Sequence, residues 1–417
     1  MIKKIILSAG LLFGLHSFAQ EGTSSPYSYF GLGKDRFRGT QDQRAMGGLA
    51  IEGDSTALNL VNPASYSHLR LTAFAVGGTT NFTTLKNESN SENAKRTTID
   101  YLAVGIPMGK FGAAIGLMPY SSVGYKFQNI ATDVNGIENT KKFTGDGNIN
   151  RFFGGASYTI NKNFSVGAQL EYNFGTIENE LIESHSGLQL SSRERNTAQI
   201  KGMTYNIGLL YKKKLTNGLN VHGSFTLSPE TKLNVANTRN IATTVYSQSS
   251  GAEYVNDSED IDVPDYKITV PTKYSFGAGV GKQNRWLVGA QVTLQNNSKL
   301  INLSSANTNG EFENAQTYTV GGYYIPKFDS FSSYFSRVVY RAGFRYNKTG
   351  LILNGQSIND YGMNFGLGLP LGASKIDVGF ELGKTGTTNS GLVQENYFNI
   401  SIGFSIADKW FRKTLID

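Results

Sequence analysis

From about Leu71 to Ile406, apolar side chains recur at every second position, the period that sends alternate residues to opposite faces of a strand. The last such stretch is the clearest: Phe398, Ile400, Ile402, Phe404 and Ile406 share one face, and Tyr397, Asn399, Ser401, Gly403 and Ser405 the other. Ile376, Val378, Phe380 and Leu382 alternate in the same way with Lys375, Asp377, Gly379 and Glu381. So do Phe164, Val166, Ala168, Leu170 and Tyr172 with Ser165, Gly167, Gln169 and Glu171. A soluble sandwich also alternates, but its outward face is charged. Here the polar face is rich in Gly, Ser, Asn and Gln, and the apolar stripes carry Tyr and Phe near their ends. That pattern fits a barrel with lipid outside and a polar interior.

Fourteen segments of this kind are predicted, at about 71–83, 97–109, 111–126, 147–160, 163–177, 200–215, 219–230, 271–282, 285–295, 316–326, 337–348, 358–369, 374–384 and 395–406. An even number suits a closed single-chain bacterial barrel. Short turns are expected at Gly109-Lys110, Asn161-Lys162, Thr216-Asn217-Gly218, Gln283-Asn284 and Pro370–Ala373. They alternate with longer polar loops at about 84–96, 127–146, 178–199, 231–270 and 296–315; 327–336 is a longer turn on the short side, and 349–357 a modest loop on the long side. Short turns and both barrel ends then belong to the periplasm, and long loops to the outside.

The chain begins with the marks of a secretory signal: Lys3 and Lys4, an apolar run from Ile5 to Leu15, and a Ser17-Phe18-Ala19 cleavage site. The expected organisation is a signal peptide at 1–19, a distinct segment at 20–70 that lacks sustained alternation, the barrel at 71–406, and a periplasmic tail at 407–417. The predicted fold is all-β, a fourteen-stranded antiparallel transmembrane barrel, located in the outer membrane of a Gram-negative bacterium.

Composition agrees. Glycine numbers 48 of 417, charged residues are 17%, and Tyr and Phe total 22 and 25. The absence of cysteine excludes a disulfide framework, a thiolate metal site and a cysteine nucleophile. No run of about 18 apolar residues marks a helical span. Without Lys3 and Lys4 the formal charge is +5, from 37 basic and 32 acidic residues, with no long basic tract to suggest nucleic acid.

Two places resemble a known family. Arg44-Ala45-Met46-Gly47-Gly48, followed by Asn62-Pro63-Ala64 just before the first strand, resembles the hatch of FadL-type outer-membrane transporters for long-chain fatty acids. The chain end Trp410-Phe411-Arg412-Lys413 resembles Bacteroidota members of that superfamily, including the PorV subunit of the type IX secretion system, and the segment Ser25-Pro26-Tyr27-Ser28-Tyr29-Phe30-Gly31 resembles the start of Bacteroidota FadL-like proteins. The resemblance implies an N-terminal hatch in the lumen, with Gly47, Gly48, Asn62, Pro63 and Ala64 as its residues. In the transporter branch it implies a lateral opening near a kinked third strand; in the PorV branch, a protein-binding subunit. The eleven residues after Ile406 fit the Bacteroidota branch and depart from the C-terminal aromatic residue of many outer-membrane proteins.

The third strand contains Pro119. Proline cannot donate to a ladder, so it marks a bulge or a kink in the wall, the candidate lateral gate. Arg341 and Arg345 share a face on the eleventh strand, and Asp377 and Glu381 share one on the thirteenth. Between them lies a strip of Gly362, Asn364, Gly366 and Gly368. Charge on the lipid face costs ~2–4 kcal/mol at midplane, so the four are expected to form a lumen ion network across the glycines. His222 and Ser224 share a face without an evident acid, and the carboxylates of Asp257, Glu259, Asp260, Asp262 and Asp265 lack EF-hand spacing. Gly277, Gly279 and Gly281 before Lys282 fail the phosphate-loop pattern, which requires Gly at Phe276 and Ser or Thr at Gln283; they line the interior instead. No enzyme, metal or cofactor is expected. Two functions remain open: passage of small hydrophobic molecules through a hatch-gated lumen or lateral opening, or an accessory scaffold within an outer-membrane secretion or assembly complex. The expected partners are outer-membrane lipids with hydrophobic small molecules or complex subunits, and no nucleic acid.

Overall fold

Alternation of apolar and polar residues becomes a closed wall in the computed structural model, which describes residues 22–134, 136–246, 253–300 and 310–410. The predicted signal peptide and the chain end beyond Trp410 lie outside the described residues. The wall strands are β1 (Thr72–Lys86), β2 (Ser91–Met108), β3 (Phe111–Thr132), β4 (Glu138–Thr159), β5 (Phe164–His185), β6 (Leu190–Lys214) and β7 (Asn220–Ser228, continued by Thr231–Tyr246). They continue with β8 (Glu253–Asp262, Tyr266–Val270 and Lys273–Lys282), β9 (Trp286–Gln295), β10 (Gly310–Phe312 and Ala315–Tyr324), β11 (Val339–Leu353), β12 (Gln356–Leu371), β13 (Ser374–Thr385) and β14 (Gln394–Asp408). Neighbours in sequence pair antiparallel, and β14 pairs with β1 from Gln394↔Lys86 to Asp408↔Thr72, which closes a fourteen-stranded barrel. Closure matters because lipid offers no partner to an open strand edge.

The two faces sort as the alternation requires. Tyr361, Met363, Phe365 and Leu367 are exposed on β12, whereas Asp360, Gly362, Asn364, Gly366 and Gly368 are buried. On β14, Phe398, Ile402, Phe404 and Ile406 point outward and Asn399, Ser401 and Ser405 inward.

The long polar loops expected at 84–96, 127–146, 178–199 and 231–270 are mostly strand. β1 and β2 meet at a turn between Lys86 and Ser91, β3 and β4 pair out to Thr132↔Glu138, and β7 runs on to Tyr246. The reason is physical. A spanning strand needs about 9–11 residues, and β6 has 25. Beyond the bilayer both faces of a ladder meet water, so hydropathy stops alternating while backbone pairing continues. Asp257, Glu259, Asp260 and Asp262 fall on such an extension, exposed. No cluster of three or more metal-ligating side chains occurs among the described residues.

Residues 22–71 form short pieces: 3-10 turns at Pro26–Tyr29 and Pro63–His68, a two-residue strand Lys34–Asp35, and one helical turn at Gln41–Arg44. Each piece has a local cause. Thr40 and Gln43 make a capping box. The Asn62 side chain accepts from the Ala64 amide at 3.0 Å, and Pro63 opens the following turn, where its missing N–H costs nothing.

Candidate functional site: the lumen and its two mouths

The inward face of the wall is a bed of glycines on which residues 22–71 lie. A Cβ on Gly167 would come within 2.5 Å of Pro63 C, one on Gly366 within 2.5 Å of Ala45 Cβ, and one on Gly277 within 2.5 Å of Ile51 Cγ2. Gly208 meets Asn62, Gly112 meets the Tyr66 carbonyl, and Gly321 and Gly343 meet the Met46 backbone just as closely. The glycine-rich polar face seen in the sequence thus has a cause: backbone approaches backbone there, and only glycine leaves room. Asn62 Nδ2 donates to Leu209 O at 3.0 Å and to Phe225 O at 3.3 Å. Tyr66 OH donates to Gln169 Oε1 at 2.7 Å. Thr319 Oγ1 donates to Gly47 O at 3.3 Å; Gly47 and Gly48 adopt φ of +73° and +98°. Apolar packing reinforces the seat: Leu58, Leu60, Tyr66 and Leu69 bury against Ala73, Ala75, Ala103, Ala114, Met118 and Phe153.

Charges fasten the segment and wall together. Arg341 Nη1 lies 2.7 Å from Asp377 Oδ1, and Arg345 Nη2 lies 3.0 Å from Glu381 Oε1. The guanidinium of Arg341 passes directly over Gly368, and the Arg345 group over Gly362. The structure adds members that alternation on a single strand could not single out. Asp360 also meets Arg345 at 3.0 Å. Asp100 receives Arg36 and Arg44, each at 3.3 Å, and Gln41 Nε2 at 2.8 Å. Glu171 receives Arg38 at 2.6 Å and Arg151 at 3.0 Å. Glu395 receives Lys34 at 2.6 Å and the Ser25 hydroxyl. In each of these three nodes, a wall carboxylate is answered by side chains from the N-terminal segment. A cation-free wall carboxylate in a dry lumen would be costly, so segment and wall complete one another electrostatically.

At Pro119 the ladder is interrupted. The register between β3 and β4 shifts between Pro119 and Ser121. Pairing between β2 and β3 ends at Leu102↔Leu117, short of Pro119. Past that point the β3 edge is taken by the N-terminal segment: Lys34 pairs with Ser122 and Asp35 with Ser121. Arg36 N donates to Tyr120 O at 3.0 Å, and Ser121 Oγ donates to Leu32 O at 2.7 Å. The Arg36 guanidinium reaches back to the Thr98 hydroxyl and Asp100 on β2, and to Gly22 O at 2.9 Å. The seam between β2 and β3 is bridged from inside by the segment.

Cavities lie on both sides of the N-terminal segment. A cavity of about 440 Å³ on the long-loop side is lined by Arg36, Arg38, Arg345, Asp360 and Glu381 among others. A larger one, about 980 Å³, opens at the short-turn mouth; Leu49 to Asn59 and Lys375 form part of its lining. Each touches polar and charged groups. His222 is buried here, 4.0 Å from Glu52 Oε1. Glu52, an acid the sequence offered no reason to place there, also accepts from Tyr323 OH at 3.1 Å. Ser224 Oγ instead donates to the Ala50 carbonyl at 3.4 Å, so His222 and Ser224 do not form a nucleophile pair. His68 Nε2 lies 3.1 Å from Ser165 Oγ. Burial, followed by the charges of Lys212 and Arg70, pushes the His68 imidazole down to about 4. Gly277 and Gly279 face Ile51 inside the barrel.

The architecture has solved relatives. The toluene transporter TodX of Pseudomonas putida aligns over 90% of this chain and 99% of its own, at 15% identity and a TM-score of 0.59. The toluene transporter TbuX of Ralstonia pickettii aligns over 89% and 99%, at 13% identity and a TM-score of 0.58. A FadL homologue of Pseudomonas aeruginosa aligns over 91% and 100%, at 11% identity and a TM-score of 0.61. At these identities the likeness establishes the FadL-type barrel fold. The PorV-like branch rests on the chain-end resemblance alone. No curated protein matches the sequence. The family model named BamG, however, matches residues 1–417, the full length: the chain belongs to the BamG family.

Proposed function

We propose that this protein is a non-transporting scaffold barrel of an outer-membrane protein-assembly complex, with residues 22–71 acting as a permanent plug. The observation that carries this reading is the seat of the segment. It is bedded on wall glycines, answers wall carboxylates with its own arginines and lysine, and pairs with the free edge of β3. A hatch that shifts during each transport cycle would have to break those contacts together. Breaking one buried ion pair alone costs ~3–5 kcal/mol. The family name BamG supports an assembly role. The outer-membrane location is supported by the outward apolar belt and by the fold of the solved relatives.

The second reading, passage of small hydrophobic molecules, is favoured by one observation, the missing β2–β3 ladder beside Pro119. Relatives of the same fold carry the name toluene transporter. Pro119 would then be the gate, and Asn62, Pro63 and Ala64 the moving hatch.

A plug lock separates the two. The native chain has no cysteine, and Ser67 Oγ lies 2.9 Å from Thr159 Oγ1, segment to wall. Ser67→Cys with Thr159→Cys should cross-link the plug on oxidation. A scaffold keeps its co-purifying partners, oxidised or reduced, within twofold. A bare barrel whose hydrophobic uptake is abolished by oxidation and restored by reductant overturns the proposal.

A further inference from the structure

The two ends of the barrel differ in charge balance, and the long-loop end carries both signs, with Lys86, Lys95 and Lys126 exposed there. The long-loop end carries Asp257, Glu259, Asp260 and Asp262 on the exposed extension of β8. The short-turn end is basic. Arg70, Lys110, Lys162, Lys212, Arg337 and Lys375 all line the 980 Å³ cavity at that mouth. Lys375 is consumed by Asp42 at 2.9 Å, with Asp377 at 3.7 Å and Asp54 at 3.8 Å, and Lys212 faces Glu52 at 3.9 Å. Arg70, Lys110, Lys162 and Arg337 are exposed and have no carboxylate within ion-pair distance among the described residues. They come from four different places: the entry to β1, the β2–β3 turn, the β4–β5 turn, and the connection before β11. Nothing in the local chain requires four cations to converge on one opening.

The same mouth has an apolar lip. The connection from Ile325 to Val338 is the longest on the short-turn side, and it holds Phe328, Phe331, Tyr334 and Phe335, all exposed. Phe328 and Arg337 from this connection both line the cavity. Residues of the N-terminal segment, among them Leu49 to Asn59, form the floor of the cavity. The four cations sit at the rim of the mouth, on turns and strand entries, and all line the cavity.

We propose that this vestibule is the docking site for an acidic, extended segment of a periplasmic partner protein, its carboxylates held by Arg70, Lys110, Lys162 and Arg337 and one apolar residue resting on Phe328. Complementary charge of this kind fixes orientation and speeds encounter. The inference deepens the scaffold reading and rests on it, by giving the chemistry of one partner.

The test uses the full-length refolded barrel in uncharged maltoside micelles with a fluorescein-labelled decaglutamate peptide, read by anisotropy. Saturable binding is expected, weakened at least tenfold by the triple reversal Arg70→Glu, Lys110→Glu, Lys162→Glu, and at least threefold by Phe328→Ala. Heat-modifiable migration checks that each variant is folded. Reversing Lys86, Lys95 and Lys126, exposed toward the long-loop end, should change binding less than twofold. Equal losses from the two triple reversals would mean net charge alone attracts the peptide, and would overturn the site. Displacement of the peptide by stoichiometric phosphatidylglycerol would make it a headgroup site and overturn it as well. Because no complex is needed, failure here is distinguishable from failure of the scaffold reading, which the plug lock and partner capture test independently.

Discussion

At Arg341 and Arg345, single side chains determine whether the lumen is held or merely filled. Replacing both Asp377 and Glu381 with Ala strands Arg341, which is 8% exposed, and leaves Arg345 with Asp360 alone. Loss of a buried partner costs ~3–5 kcal/mol per pair. The double variant should therefore unfold in micelles at a clearly lower urea midpoint; an unchanged midpoint would mean that the network is solvated. Gly343 and Gly154 make a sharper pair. Gly343→Ala drives a methyl into the Met46 backbone, whereas a Cβ on Gly154 meets only Ile115 Cγ2 at 3.9 Å. The first should loosen residues 22–71 to limited proteolysis, and the second should not. His68 gives a pH signature. Its imidazole, held down to about 4, stays neutral in the fold while the unfolded chain takes up a proton below its ordinary value near 6.5. That contribution to stability is complete above pH 6.5 and declines as pH falls toward 4. His68→Gln should flatten this slope relative to the native chain, by an amount on the order of 1–3 kcal/mol across the window. These residues differ in how far the sequence disclosed them. Arg341, Arg345, Asp377 and Glu381 stood out because charge on an alternating strand must face inward. Asp100, Glu171 and Glu395 obey the same rule, but they have partners many residues away in the irregular N-terminal segment, where no period predicts a neighbour.

Among the elements, β3 and the strand Lys34–Asp35 depend on each other. Pro119 leaves the β3 edge without its usual neighbour, and the N-terminal segment supplies the missing hydrogen bonds. Arg36 spans the seam. Arg36→Ala removes charged hydrogen bonds to Gly22 O and Asp100, a loss of roughly 1–3 kcal/mol. Amides at Ser121 to Gly124 should then exchange faster, while those of β12 and β13 stay protected. Uniform exchange across the barrel would show that the segment does not seal the seam. Strand existence was legible here because lipid enforces a period of two. Strand length was not: β5, β6 and β7 extend into water, where both faces turn polar and the hydropathy signal disappears although the ladder persists. The Lys34–Asp35 strand was also hidden, since two residues carry no period.

For the whole molecule, the outward belt, the glycine bed and the ionic seat describe a barrel filled by its own chain. Fourteen strands follow from alternation and from the polar face, and the FadL-type architecture was implied by the resemblance at Arg44–Gly48 and Asn62–Ala64. What the barrel does depends on whether the lumen moves, and that is a property of packing, which the pattern of apolar positions does not encode. Glycine richness was visible in composition, yet its meaning emerged only when Pro63, Ala45 and Ile51 were found resting on Gly167, Gly366 and Gly277. The most direct measurement is the mass of the tagged barrel released from outer membranes in mild detergent. A scaffold should run as an assembly well above the mass of a single chain, with at least one other outer-membrane polypeptide at stoichiometric yield, unchanged when the Ser67→Cys, Thr159→Cys lock is oxidised. Recovery as a lone barrel at the mass of a single chain would contradict the account.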